Sequence, residues 1–372
     1  MTESTTKQLP FAQTWEKGLG DEGMLEIWTN SAGLPSAIAR RAERAEAAGY
    51  DGMTTVDSQN LSGDCYIGLA MASTGTERIK LGTGVTNPFT RHPAVTACAI
   101  ATVQAVSQGR AALGIGRGDS ALAHLGFSPS PVKKFEDYIW RLQGYLRGDE
   151  VPFEESGNFD ALRLANQPTA SRIEWIRPGR YPKVPVDVAA TGPKVIAAAA
   201  RHADAITFAV GADPARIQWG IETARAARTR AGLEPEMPFG AYVNVVVHDD
   251  PEVGRHLGEG GVSLFARFSA MHGSAVGPTT EEEKRVMEGI HHAYDMTRHS
   301  RAGSPQAAVI TPEFASEFGI FGPPNYCLER LKALAALGLT RLVVVGSSAG
   351  ANPDEAARAE QRFVEEVLPG LR

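Results

Sequence analysis

The apolar positions of this chain follow a repeating rhythm: a short continuous apolar run, then a longer stretch with helical spacing. Residues 24–28 read as a strand, and 35–49 as an Ala-rich amphipathic helix closed by Gly49. The same unit returns with strand 50–56 and helix 64–76, then with strand 79–85 and helix 92–107. Strand 110–115 comes next, with a short helix 119–125 and a long one 132–146. Residues 150–182 break the rhythm, and their polar, Pro- and Gly-containing sequence predicts a hairpin or excursion loop. The units resume with strand 184–190 and helix 194–203, strand 205–210 and helix 214–231, and strand 239–247. Residues 250–296 read as largely helical, with loops at Gly258-Glu259-Gly260-Gly261 and near Gly277-Pro278. That is more chain than one crossover needs, so about 250–310 is expected to be a helical insertion. Helix 324–338, strand 341–345 and helix 352–368, with Pro353 in its first turn, complete the pattern.

Alternating strands and helices imply parallel pairing through right-handed crossovers. Strands apolar along their whole length are those covered on both faces. Eight such units are the count that closes an α/β fold of the (β/α)8 TIM-barrel type. The rival is an open doubly wound sheet, which wants a complete GxGxxG after an early strand. Gly82-Thr83-Gly84 and Gly114-Ile115-Gly116-Arg117-Gly118 do not complete one. The expected organisation is an extension at 1–23 and a barrel domain at 24–372, with the excursion at 150–182 and the insertion.

Composition narrows the function. The 372 residues are 43% hydrophobic and 22% charged, ample for a large core. A net charge of -6 and the lack of a dense basic run argue against nucleic acid and against an anionic membrane surface. Cys65, Cys98 and Cys327 are scattered and odd in number, which fits a reducing compartment better than a disulfide framework. No apolar run approaches the roughly 18 residues of a membrane span, and no apolar leader heads the chain, so a cytoplasmic protein is expected. HExxH and CxxC are missing, and His291-His292 point to different faces of a helix, so no metal site is expected. There is also no GxSxG elbow for a serine nucleophile.

In a barrel the chemistry gathers at the carboxyl ends of the strands. Those ends carry small polar residues: Thr29-Asn30, Asp57-Ser58-Gln59-Asn60, Thr86-Asn87, Gly116-Arg117-Gly118-Asp119, Thr191-Gly192-Pro193 and Gly346-Ser347-Ser348. Such a rim suits a cofactor with many hydrogen-bonding edges. Asp57 reads as an acceptor for a ligand or as an Asx turn. Gly84 reads as a close approach to a flat ligand or as a bulge. From its place before Pro93, His92 reads as a helix cap, and its imidazole is also suited to proton transfer near neutral pH. Residues 114–120 and 191–194 each offer backbone N–H groups at a helix start, with Arg117 and Lys194 nearby, the makings of an anion site or of plain turns.

The run Leu81-Gly82-Thr83-Gly84-Val85-Thr86-Asn87-Pro88-Phe89-Thr90-Arg91-His92-Pro93 carries a resemblance. Later come Gly109-Arg110, Leu113-Gly114-Ile115-Gly116-Arg117-Gly118-Asp119, Ala190-Thr191-Gly192-Pro193-Lys194 and Ala203-Asp204. In that order the motifs resemble the bacterial luciferase-like superfamily, nearest to its methylenetetrahydromethanopterin reductase branch. The resemblance implies a (β/α)8 barrel, usually a homo-oligomer, that binds reduced FMN or the deazaflavin coenzyme (F-420) at the carboxyl end. It implies a cis peptide bond behind the ring, here Gly84-Val85. Asp57, Ser58, Thr86 and Asn87 would flank the ring, and Gly116, Arg117, Gly118 and Asp119 would line the ribityl side. Thr191, Gly192 and Pro193, with Ala209, Val210 and Gly211, would take the phosphate. Trp28, Asn30, Tyr66 and Phe89 mark the substrate side. His92, Asn60 and Arg91 are the candidates for handling protons.

The resemblance leaves two chemistries. The first reading is a monooxygenase using reduced FMN and oxygen on a small organic substrate. A separate flavin reductase would supply the reduced FMN, since no NAD(P)H fingerprint is present. The extension and the insertion, which suggest a reshaped substrate mouth, favour it. The alternative is a deazaflavin-dependent oxidoreductase that moves a hydride, favoured by the reductase-branch motifs. A non-catalytic flavin-binding barrel is a third reading, opposed by the polar rim.

Overall fold

The computed structural model describes residues 25–154, 160–176 and 179–372. The expected extension at 1–23 lies outside these residues. Eight parallel strands close on themselves: β1 (Glu26–Ser31), β2 (Gly52–Thr55), β3 (Lys80–Thr86), β4 (Ala111–Ile115), β5 (Val186–Ala190), β6 (Ala205–Phe208), β7 (Phe239–Val247) and β8 (Arg341–Val345). Each pairs with the next, and Glu26 stands opposite Arg341 to join β8 to β1. The fold is therefore the expected (β/α)8 barrel. The strands' outward side chains pack under the helices in one large core that includes Ile27, Met53, Leu81, Leu113, Val188 and Ile206.

Strand side chains alternate faces, so Glu26, Trp28 and Asn30 share the inner face of β1. Trp28 is 1% exposed and fills the barrel interior. Glycines on β2 and β3 make room for its ring: a Cβ on Gly52 would lie 2.2 Å from it, and one on Gly82 would lie 3.4 Å away. The expectation that Trp28 borders the substrate is corrected: this register sinks its indole one layer below the mouth. A polar belt surrounds it. The Trp28 Nε1–H donates to Glu26 Oε2 (2.8 Å), and Lys80 pairs with Glu26. Arg341 lies 4.4 Å above the indole centroid and donates to Asp187 Oδ2 (2.8 Å), which also accepts from Thr207 Oγ1 (2.6 Å). Burial raises the Asp187 carboxyl's pKa, while Arg341 and Thr207 oppose the rise.

Three departures from the predicted elements matter. Gly258, Gly260 and Gly261 lie inside one long helix, Pro251–Ser269, and not in a loop. Neighbours crowd the helix there: a Cβ would sit 2.4 Å from Phe321 at Gly258, 2.6 Å from Ser300 O at Gly260 and 2.2 Å from Asn244 Nδ2 at Gly261. The glycines are helix-packing surfaces, which helix propensity alone reads as breaks. A short strand, Ile320–Gly322, also pairs with the upper end of β7. The last helix runs Pro353–Arg362 and then loosens into a π turn, Phe363–Val367. In the excursion, Val151–Pro152 pairs antiparallel with Ala170–Ser171, while 155–159 and 177–178 lie outside the described residues.

The insertion bends over the carboxyl mouth. Its long helix is pinned to the segment after β8, where Ser348 Oγ accepts from the Gly260 and Gly261 amides (2.9 and 3.2 Å) and the Ser348 amide donates to Leu257 O (2.7 Å).

Candidate active site

The barrel strands are buried almost throughout, yet Asn30, Gly84, Val85, Ala189 and Val345 remain half-exposed near their carboxyl ends. They ring a recess with small residues at its floor. On β3 the peptide bond between Gly84 and Val85 is cis, as the resemblance implied. The pairing of β3 with β4 slips between Thr83 and Thr86 at that point. A Cβ on Gly84 would strike Thr54 Oγ1 at 2.4 Å, and one on Gly114 would strike Thr83 O at 2.1 Å. Glycine at both positions lets the backbones close up and leaves the Val85 side chain as a half-exposed apolar surface. Gly116 adjoins it, with its Cβ position 3.1 Å from Val85 Cγ2.

The end of β3 beyond Val85 is braced by ionic contacts. Asp57, 4% exposed, accepts through Oδ2 from Thr86 Oγ1 (2.6 Å) and Arg91 Nη1 (2.6 Å). Arg91 also donates to Asp64 (3.0 Å) and lies 4.8 Å over the Tyr66 ring. Burial alone would lower the pKa of the Arg91 guanidinium; Asp57 and its other neighbours raise it instead. Burial also pushes up the Cys65 thiol and the Tyr66 phenol. Thus Asp57 and Thr86 position the strand end. Tyr66, 8% exposed and under Arg91, is part of the packed wall and not the substrate surface that was expected.

The three residues read as candidates for handling protons each make scaffold contacts, and His92 takes the cap position that its place before Pro93 indicated. Arg91 is a bridging cation between two carboxylates. His92 caps helix Pro93–Val106, with Nδ1 accepting from the Ala94 amide (3.2 Å). The Asn60 amide donates to His124 O (2.9 Å) and ties the β2 loop to the β4 loop.

Asn87, 1% exposed, behaves differently. Its Oδ1 accepts from the Phe89 and Thr90 amides (3.0 Å each) and from Thr90 Oγ1 (3.2 Å), an Asx turn. Its Nδ2 is buried with no partner among the described residues, as are Ser31 Oγ, Thr54 Oγ1 and Ser58 Oγ. Buried polar atoms are seldom left unpaired, so this group at one end of the barrel fits a polar ligand that completes it. Gly118 (φ +77°) holds the β4 loop against this turn, since a Cβ there would lie 2.9 Å from Asn87 Cβ.

The anion sites are partly corrected. Arg117 turns away, its Nε donating to Ser130 O (2.6 Å). Asp119 is held by both arms of Arg267 from the insertion, with Nη2 2.9 Å from Oδ1. On the β4 loop Asp119 is therefore paired, while Arg117 is engaged through Nε by a carbonyl. Beyond β6, Ala209 and Val210 are buried, Val210 O accepts from Arg216 Nε (3.0 Å), and the Phe318 ring would meet a Gly211 Cβ at 2.6 Å. That side is sealed. Thr191, Gly192 and Pro193 stay accessible: Gly192 heads helix Pro193–His202 with no side-chain cap and open space around it. Of the remaining substrate positions, Asn30 lies at the mouth and Phe89 on the outer rim, half-exposed and 4.6 Å from the Phe127 ring.

Sequence reading missed the roof. Arg267, besides binding Asp119, lies 4.5 Å from the Tyr294 ring centroid. Tyr294 Oη is 2.9 Å from His299 Nδ1, and the His299 ring stands edge-on to His124 at 6.2 Å. Burial pushes the His299 imidazole down to about 4, Asp119 pulls it back up, and Arg267 and His124 lower it further. Only the density of histidines in the insertion hinted at this, because Arg267 and Asp119 are 148 residues apart.

The site sits in a closed (β/α)8 barrel of the luciferase-like oxidoreductase class. The family model described as luciferase-like monooxygenase matches residues 25–341, and the chain belongs to that family. Among curated relatives it is similar to the 5,10-methylenetetrahydromethanopterin reductase of Methanolobus tindarius, 27% identical over 86% of this chain and 93% of that protein. It is also similar to the F-420-dependent glucose-6-phosphate dehydrogenase of Intrasporangium calvum, 28% identical over 94% of this chain and 99% of that one. Among solved structures, the coenzyme F-420-dependent tetrahydromethanopterin reductase of Methanopyrus kandleri shares the fold, with a TM-score of 0.69 at 22% identity, over 94% of this chain and 100% of its own.

Proposed function

We propose that the chain is a deazaflavin-dependent oxidoreductase that moves a hydride between the coenzyme and a small organic substrate. The observation that carries this reading is similarity along nearly the whole chain to proteins named as reductases and as an F-420-dependent dehydrogenase. The first sequence reading, reduced FMN with oxygen, has the family description on its side but less support from the individual relatives. Under the deazaflavin reading no flavin reductase is required.

The residues present fit such a ligand. Val85 and Gly116 offer an apolar backstop for a flat ring. Asn87 Nδ2, Thr54 Oγ1 and Ser58 Oγ are unpaired groups available to its polar edges. Thr191-Gly192 offers an open helix start for an anionic tail. Bound there, the deazaflavin supplies a carbon that gives or takes a hydride. The chain's own part is to orient the ring, through the Asp57–Thr86–Arg91 brace, and to exclude water, through the insertion held by Asp119–Arg267.

The test is a titration of purified protein with deazaflavin, FMN and reduced FMN, followed by fluorescence and absorbance. Micromolar binding of deazaflavin with weak binding of both FMN forms is expected. Preference for reduced FMN would return the monooxygenase reading, and binding of no flavin would sink both.

A further inference from the structure

Beneath the cis bond, the barrel interior encloses a space of about 10 Å3, the room that one water molecule needs. Trp28, Thr54, Thr83, Gly114, Asp187 and Arg341 are among the residues that line it. Three of these adjoin the recess floor. Thr54 Oγ1 is the atom that a Cβ on Gly84 would strike, Thr83 precedes Gly84 in the chain, and a Cβ on Gly114 would lie 3.3 Å from Val85 Cγ1. Two oxygens of the lining, Thr54 Oγ1 and Asp187 Oδ1, are buried without a partner among the described residues. Both side chains lie deep in the barrel, each residue 6% exposed. The other carboxylate oxygen of Asp187 already accepts from Arg341 and Thr207. Thr83 Oγ1 donates to Gly114 O (2.7 Å) and keeps its lone pairs as a third contact.

The lining selects its occupant. An apolar group would leave both oxygens unpaired, which buried polar atoms seldom are. A cation would face the Arg341 guanidinium and an anion the Asp187 carboxylate, and with Lys80 and Glu26 the charges of the belt already balance. Water is neutral, small enough, and able to donate to the carboxylate while it bonds the hydroxyl. We propose that the space binds one water molecule, which bridges Asp187 Oδ1 and Thr54 Oγ1, and that through it Asp187 is a positioning residue for the recess floor. A hydroxyl has one donor and two acceptor sites, so Thr54 serves this water and a ligand in the recess at once. The water site stands on the cavity and its two oxygens; its bearing on the coenzyme rests on the deazaflavin reading.

The test begins with a crystal structure of the wild-type protein at a resolution that shows ordered water. One density peak within hydrogen-bond reach of both oxygens is expected, and a space without a peak overturns the proposal. Thr54→Val keeps the shape of the side chain, removes the hydroxyl and should lose the peak; Thr54→Ser should keep it. Asp187→Leu should lose it, and Asp187→Asn, whose amide also bonds water, should keep it. A peak that stays in Thr54→Val overturns the bridge. Deazaflavin affinity, read by fluorescence titration, should follow the peak. It should be about tenfold weaker in the Val and Leu variants, and the Ser and Asn variants should recover most of that loss. General loosening of the barrel would not sort the variants in this way. The double variant Thr54→Val with Asp187→Leu should lose little more than either single one, because one water carries both effects. Losses that multiply would overturn the positioning role of Asp187. If Asp187→Leu does not fold, the Asp187→Asn and Thr54 variants decide. If the wild type binds no deazaflavin, the cofactor reading fails separately, and the density peaks decide the water site alone.

Discussion

Asn87 divides its amide between two tasks. Oδ1 builds the turn, while Nδ2 is buried without a partner among the described residues and is the atom proposed to meet the cofactor. Asn87→Asp separates them, since aspartate keeps the acceptor and removes the donor. The expected result is a nearly unchanged melting temperature and an approximately tenfold weaker deazaflavin affinity, measured by fluorescence titration. Equal affinity would remove Asn87 from the cofactor's contacts. The residue was legible in the sequence because it comes directly after a strand. Asp57 and Arg91 were legible as polar residues after strands but not as an ion pair, because pairing depends on partners that spacing does not show, whereas His92 was legible as a helix cap from its place before Pro93. His299 was legible only as one of several histidines in the insertion. Its pKa falls from the ordinary 6.5 to about 4 chiefly through burial. Between those values the unfolded chain takes up a proton that the folded chain refuses. The group therefore removes stability as pH falls through that window, and the loss is complete below about 4. His299→Phe should flatten the decline of the melting temperature from pH 6.5 to 4 relative to the wild type. Parallel declines would contradict this origin.

The roof is an element with few ties to the loop it covers. The Asp119–Arg267 pair, both side chains close to nine-tenths buried, joins the β4 loop to helix Pro251–Ser269. Removing one partner of such a pair costs about 3–5 kcal/mol locally, because the other charge is left buried. Arg267→Met should speed amide hydrogen exchange in the roof, residues 251–310, more than in the barrel strands. The double variant with Asp119→Asn should recover part of the protection. Uniform exchange changes would mean that the pair does not hold the roof. Binary pattern foretold that this segment is helical but misread Gly258, Gly260 and Gly261 as a loop. Their reason lies in Phe321, Ser300 and Asn244, neighbours distant in sequence.

At the scale of the molecule, the rhythm of strands and helices was enough to predict the barrel, since eight apolar runs with helical spacers have few other ways to close. Trp28 shows the limit: alternation places it inside, but only the register with Gly52 and Gly82 says how deep. The neighbouring helices Cys65–Gly75 and Pro93–Val106 also leave apolar side chains outside, Ile67 at 57% exposure and Val95 at 53%. This face is expected to join two copies, so Ile67→Lys with Val95→Lys should halve the mass read by light scattering; a monomeric wild type would refute it. The central claim is that the recess at Gly84-Val85 holds a deazaflavin. The most direct measurement is deazaflavin affinity by fluorescence titration in the wild type and in Gly116→Leu, whose side chain would crowd Val85 at the recess floor. Micromolar binding in the wild type, lost in a variant that still melts cooperatively, is the result expected. Equal binding in both would contradict the placement of the site.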